Sequence, residues 1–152
     1  MPGSFLARRV LRPVFASAVA LYIIITGIIY HLLLSRIETL TGFDQACNLG
    51  LHYLTPVLYT AFWLLFVAKG QLRPIHVLWW LIYPIGYAVF SLARGPIVAW
   101  YPYPFLDAST LGFGQLALNI LGVSVGFVLV GLILVAIDRL IGGIGLRRAP
   151  AG

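Results

Sequence analysis

Apolar residues run in four long stretches, at about 14–34, 48–68, 75–93 and 115–137, with polar and charged positions gathered between them. None of the four shows the strict alternation of a half-buried strand, and each is long enough, at roughly 20 residues, for a helix that crosses the hydrocarbon of a bilayer. Backbone polar groups in hydrocarbon must be satisfied within the segment, so such stretches are helices. The pattern predicts an all-α, polytopic integral membrane protein with four transmembrane helices in a single membrane domain over 1–152.

Composition narrows the class further. Hydrophobic residues make up 61% and charged residues 9%, with a mean hydropathy of +1.00. That mix lies outside the soluble globular range, and 152 residues leave no room for a separate soluble domain beside four spans. The net charge of +6 would suit a nucleic-acid partner, but its distribution argues against one. Arg8, Arg9 and Arg12 precede the first stretch, Lys69 and Arg73 lie between the second and third, and Arg139, Arg147 and Arg148 follow the fourth. Only Arg36 and Arg94 fall on the other side. The positive-inside rule then predicts both termini in the cytoplasm and the connections at 35–47 and 94–114 facing outward. Membrane lipids are the expected partners, with the terminal arginines near anionic headgroups.

The first stretch is too long for the core of a signal peptide and no small-residue cleavage site follows it, so it is read as a retained helix. Cys47 is the single cysteine, which excludes an internal disulfide and any cysteine cluster. No cofactor and no metal are expected: His31, His52 and either Glu38 or Asp44 match no standard ligand spacing.

Ionisable side chains within a span are costly and mark either a functional site or a polar contact between helices. His52 is the leading candidate, in Asn48-Leu49-Gly50-Leu51-His52-Tyr53-Leu54-Thr55-Pro56. Pro56 has no N–H, and the carbonyl it leaves without a partner in a helix is that of His52. Asn48 and Thr55, four before and three after, share a helical face with His52. Asn48 can fix the imidazole tautomer or cap the helix; Thr55 can bond the imidazole or turn back to the backbone. His31, near the end of the first stretch, is a second histidine on the same side.

The connection at 94–114 carries Arg94-Gly95-Pro96 and then Trp100-Tyr101-Pro102-Tyr103-Pro104-Phe105-Leu106-Asp107. Aromatics alternating with prolines form a stiff strip, either an interfacial belt or a lid over a lipid-accessible pocket. Arg94 and Asp107 are placed to pair across its base or to orient a carboxylate. Gln115 and Asn119 lie one turn apart and are expected to face one cavity. Gly122 and Gly126 form a small-residue pair for close helix packing or oligomer formation. Pro84 predicts a kink in the third helix.

Taken together, Thr26-Gly27-Ile28-Ile29-Tyr30-His31, Asn48-Leu49-Gly50-Leu51-His52 with Pro56, Arg94-Gly95 and the Trp100–Asp107 strip resemble the bacterial Pr-six-Pr family of membrane proteins over nearly the whole chain. More distantly, they are similar to the eukaryotic family of androgen-induced gene one and the androgen-dependent TFPI-regulating protein. The resemblance implies a multi-pass protein of the bacterial plasma membrane. The eukaryotic family hydrolyses fatty-acid esters of hydroxy fatty acids with a threonine nucleophile and a histidine. By that resemblance His52 stands where the histidine does. The threonine belongs to a stretch like Phe-Ser-Tyr-Phe-Thr on an early helix, and the chain looks like a member lacking its first two helices.

Two functions follow. One is a lipid-ester hydrolase in which His52 is the general base toward a fatty-acyl ester, with the nucleophile absent or replaced by Thr55, Thr26 or Thr39. The other is non-enzymatic: a lipid-binding or scaffolding membrane protein in which His52 makes a structural hydrogen bond.

Overall fold

The computed structural model describes residues 13–37 and 39–148, with side chains as far as Ile144. Arg8, Arg9, Arg12 and Glu38, and the side chains of Arg147 and Arg148, lie outside the described residues. Every regular element among the described residues is helical: α1 (Pro13–Ile29), α2 (Gly42–Leu49), α3 (Thr55–Phe66), α4 (Pro74–Trp80), α5 (Ile82–Val98) and α6 (Phe113–Arg148), with a short 3₁₀ turn at Pro104–Leu106. Continuous runs of these give four helices long and apolar enough to cross a membrane, at Pro13–Leu34, Gly42–Phe66, Pro74–Val98 and Phe113–Ile144. The protein is an all-α polytopic membrane protein.

Two spans reach further than the apolar pattern implies. The second begins at Gly42, so Asp44 sits exposed in the first turn of α2 rather than in a loop, where the helix dipole favours a carboxylate. The third runs on to Val98 and takes in Arg94 and Pro96. It is interrupted at Leu81, between α4 and α5. Pro84 cannot donate to the carbonyl four residues back, and the helix changes there. α5 ends at Ala99, whose φ of 52° is left-handed, with the Trp100 N–H donating to Gly95 O.

The chain forms two compact units, 1–73 with 133–152 and 74–132. In the first, α1 packs on α3, where Tyr59 and Trp63 reach the buried Ala16 and Ser17. Lipid is as apolar as leucine, so helix association in a bilayer depends on close approach and hydrogen bonds rather than on expelling water. Both are present. The fully buried Trp63 donates its indole N–H to Ser17 Oγ at 2.7 Å, and Ser17 in turn donates to Pro13 O.

The 67–73 connection is held to α6 by Asp138, which is fully buried. Its Oδ2 accepts the Leu72 N–H at 2.8 Å, its backbone carbonyl accepts the Gly70 N–H at 3.1 Å, and Arg139 Nε donates to Leu72 O at 3.3 Å. Gly70 has φ +83°, and a Cβ on Gly142 would lie 2.5 Å from Gly70 Cα, so both positions require glycine. Lys69 donates to Trp63 O and Val67 O and caps the end of α3. Burial pushes its ammonium below the ordinary value, against the opposing pull of Asp138.

In the second unit, Val77 packs where a Cβ on Gly131 would clash at 2.9 Å. The Tyr101 ring fills the space beside Gly95, where any Cβ would overlap it. Tyr103 stacks on Phe105 with centroids 5.0 Å apart and leans on Tyr87. Asn119 donates to Phe105 O at 3.0 Å and accepts from Gln115 at 2.8 Å.

Candidate functional site

The paired spans of the first unit each widen into a π-helical turn: Tyr30–Leu34 after α1, and Gly50–Leu54 between α2 and α3. Each π turn carries a histidine and a tyrosine in adjacent positions, Tyr30-His31 on one and His52-Tyr53 on the other. An i→i+5 turn inserts one residue into the helical ladder and is often found at functional sites. Local hydroxyls help close both. Ser35 gives its N–H to Tyr30 O and its Oγ–H to His31 O, while Thr55 gives both its N–H and its Oγ1–H to Gly50 O.

The four rings form one cluster. The His52 imidazole stacks on the Tyr30 ring with centroids 4.1 Å apart and planes 22° from parallel. Tyr53 meets Tyr30 edge-on at 5.9 Å and His31 at 6.0 Å. Asn48 Nδ2 donates to Tyr30 Oη. His52 Nδ1 lies 3.2 Å from the backbone carbonyl of Asn48, and a carbonyl only accepts, so the proton of the neutral ring is on Nδ1. That leaves Nε2 as a free lone pair.

Gly27 sets the closeness of the two spans. A Cβ there would meet the His52 carbonyl at 2.9 Å and Pro56 Cγ at 3.1 Å. The carbonyl that Pro56 leaves without an N–H thus faces the bare Cα of Gly27, a contact suited to a weak Cα–H donor.

Beside the cluster runs an open groove of about 660 Å³, lined by Ile24, Gly27, Ile28, Leu32, Pro56, Val57, Ala61 and Leu64, with His31, His52 and Tyr53 along it. It has the size of a small-molecule site, and its lining suits a hydrocarbon chain. Only 6% of the most apolar stretch of the second span is buried within the chain, so this face is open to bilayer lipid.

Of the residues singled out from the sequence, the structure gathers His31, Asn48 and His52. It corrects the role of Asn48: its backbone carbonyl fixes His52, while its side chain holds Tyr30. Thr55 takes the second of its two expected courses, its hydroxyl turning back to the backbone at Gly50 O. Thr26 likewise donates to Tyr22 O in its own helix.

Arg94, Trp100, Tyr101, Tyr103, Asp107 and Asn119 belong to the second unit. The expected Arg94–Asp107 pair does not form. The Arg94 guanidinium lies over the Trp100 ring at 5.7 Å, and Asp107 accepts from the N–H and hydroxyl of Ser109 in a local turn. A carboxylate two residues from suitable donors closes such a turn more readily than it reaches across a loop. Asn119 anchors the 3₁₀ turn through Phe105 O and accepts a hydrogen bond from Gln115. A Cβ on Gly122 or Gly126 would meet nothing within 4 Å.

Tyr30, Tyr53 and Thr60 escaped the sequence reading as site residues. The adjacent, mirrored pairs Tyr30-His31 and His52-Tyr53 were the signal for the first two. Thr60 lines the groove, but it lies two helical turns beyond His52, about 12 Å along the axis, and nothing in its spacing marks it. Among the described residues, no three histidine, cysteine, aspartate or glutamate side chains gather as metal ligands do.

Comparison of the chain with family models, curated proteins and solved structures finds no match.

Proposed function

We propose that the protein is a membrane-embedded acyl-lipid protein of the threonine/histidine ester-hydrolase type, in which the groove takes a fatty-acyl chain and His52 is the general base. One observation carries the reading: an imidazole with its Nδ1 proton held by Asn48 O stands along a groove lined by hydrocarbon side chains. A general base needs such an orienting partner and a free nitrogen toward the reacting proton. The distant resemblance to the eukaryotic family of androgen-induced gene one, whose hydrolases use a histidine, supports this role for His52.

The nucleophile is the open part. Thr26 and Thr55 have their hydroxyls committed to backbone carbonyls, and Thr60 is too far along the helix to hydrogen-bond His52. Those commitments favour a second reading, a lipid-binding protein without turnover. The two separate in one experiment. Purified protein in detergent is given a diazirine-bearing acyl ester to map occupancy, and a long-chain p-nitrophenyl ester with and without methanol as a supplied nucleophile. The hydrolase reading expects photolabel along 24–64, background turnover without methanol, and methanol-dependent acyl transfer that His52→Ala abolishes. Labelling with no His52-dependent transfer would leave only the lipid-binding reading.

The proposed setting is the bacterial inner membrane with both termini in the cytoplasm, supported by the skew of basic residues. An impermeant thiol reagent tests it, after replacement of Cys47. It should label a cysteine placed at Ser109 and spare one at Gly145 in intact cells, and the reverse pattern would invert the orientation.

A further inference from the structure

We propose that the end of the first unit where α6 meets the 67–73 connection binds the phosphate of an acidic lipid, with Arg139 gripping the phosphate and Lys69 adding charge beside it. The inference stands apart from the acyl-ester reading and uses none of its residues.

Arg139 belongs by position to the fourth span, yet its Nε donates to Leu72 O at 3.3 Å. Leu72 lies in the connection between the second and third spans and outside both. That bond therefore holds the guanidinium at the end of the spans, at the level of headgroups rather than in mid-hydrocarbon. An arginine has five N–H donors, and the four on Nη1 and Nη2 are left in the fork that meets a phosphate with two parallel hydrogen bonds. A long side chain fixed in advance also loses less freedom when it binds. Lys69, in the same connection, gives two of its three N–H groups to Trp63 O and Val67 O and keeps one.

Among the described residues neither cation has a carboxylate partner. Asp138 is near enough to act on the Lys69 charge, but it is fully buried; its Oδ2 takes the Leu72 N–H and its Oδ1 pairs with nothing. The acid shapes the connection from within while Arg139 stays exposed. The surroundings choose the kind of anion. Leu65 and Phe66, just before the connection, and Leu140, beside Arg139, are each at least 69% exposed. In a bilayer such side chains are covered by acyl chains, so the anion that reaches Arg139 arrives attached to them. The ligand class is an acidic glycerophospholipid.

The test is native mass spectrometry of the full chain in detergent, titrated with equal amounts of phosphatidylglycerol and phosphatidylcholine of the same acyl chains. The wild type should retain phosphatidylglycerol preferentially, and Arg139→Gln should lower that preference about fivefold, the worth of one basic residue near a lipid surface. Arg139→Lys, a point charge without the fork, should keep part of it. Arg36→Gln, which removes the same charge at the opposite end of the unit, should change little. In the wild type, a phosphatidylglycerol with a diazirine near its headgroup should label 65–73 and 139–144. Absence of the preference, an equal loss in Arg36→Gln, or labelling elsewhere overturns the proposal. Displacement of the lipid by an equal concentration of glycerol phosphate would show a site for free phosphate and overturn the lipid assignment.

Discussion

Replacing Gly27 by alanine places a methyl group where the structure has the His52 carbonyl 2.9 Å and Pro56 Cγ 3.1 Å away. The first of these neighbours is backbone, held by a π turn on one side and a proline on the other, so it cannot swing aside as a side-chain tip would. Relief requires the two spans to part by a few tenths of an ångström. Overpacking of this kind costs about 1–3 kcal/mol, and the gain from alanine over glycine inside a helix offsets roughly 1 kcal/mol of it. The net expectation is a loss of about 1 kcal/mol, which for a chain of this size lowers the unfolding midpoint by about 2–4 °C. Gly86 provides the control. It lies within α5 and a Cβ there meets nothing within 4 Å, so Gly86→Ala should raise the midpoint by a similar amount. Tryptophan-fluorescence melts of the two variants in one detergent, read beside acyl photolabelling, make the comparison. Gly27→Val, with two further methyl groups at the groove wall, should destabilise more and reduce labelling along 24–64. If Gly27→Ala were as stabilising as Gly86→Ala, the spans would not meet at Gly27 and the cluster geometry described above would be wrong.

Two further outcomes are expected. Asp138→Leu removes the acceptor of the Leu72 N–H and should cost about 1–3 kcal/mol, whereas Asp138→Asn, which keeps a carbonyl oxygen, should lose less; equal melting losses would show that this bond does not hold the 67–73 connection. Hydrogen bonds from Ser109, foremost its hydroxyl, hold the Asp107 carboxyl below its ordinary value of 3.8. Its folded form is thus favoured above that value and the contribution is lost as pH falls through the lowered value, so ¹³C-carboxyl titration should show Asp107 ionising below a free aspartate and Ser109→Ala should move it upward.

The number of spans and the helical class were legible in the chain because each depends on local composition. Twenty apolar residues have one way to satisfy their backbone in lipid, and a histidine inside such a run stands out. Pro84 announced the interruption near Leu81 for the same reason. The span ends were less legible: Gly42 and Val98 lie beyond the apolar runs, and polar residues such as Asp44 and Arg94 are accommodated at helix ends where a dipole or an aromatic ring receives them. What the tertiary structure decided is the company His52 keeps. Only the two π turns, each shifting the ladder by one residue, turn Tyr30 onto His52 and Tyr53 toward His31. Asp138 shows the same limit. Its carboxylate reads as the end of a span, and its burial follows from the fold of a connection more than sixty residues earlier, whose glycine at 70 lets the backbone close onto α6. Hydrophobicity is a property of a segment and is written in it; hydrogen-bond partnership belongs to pairs of segments and exists only once they have packed.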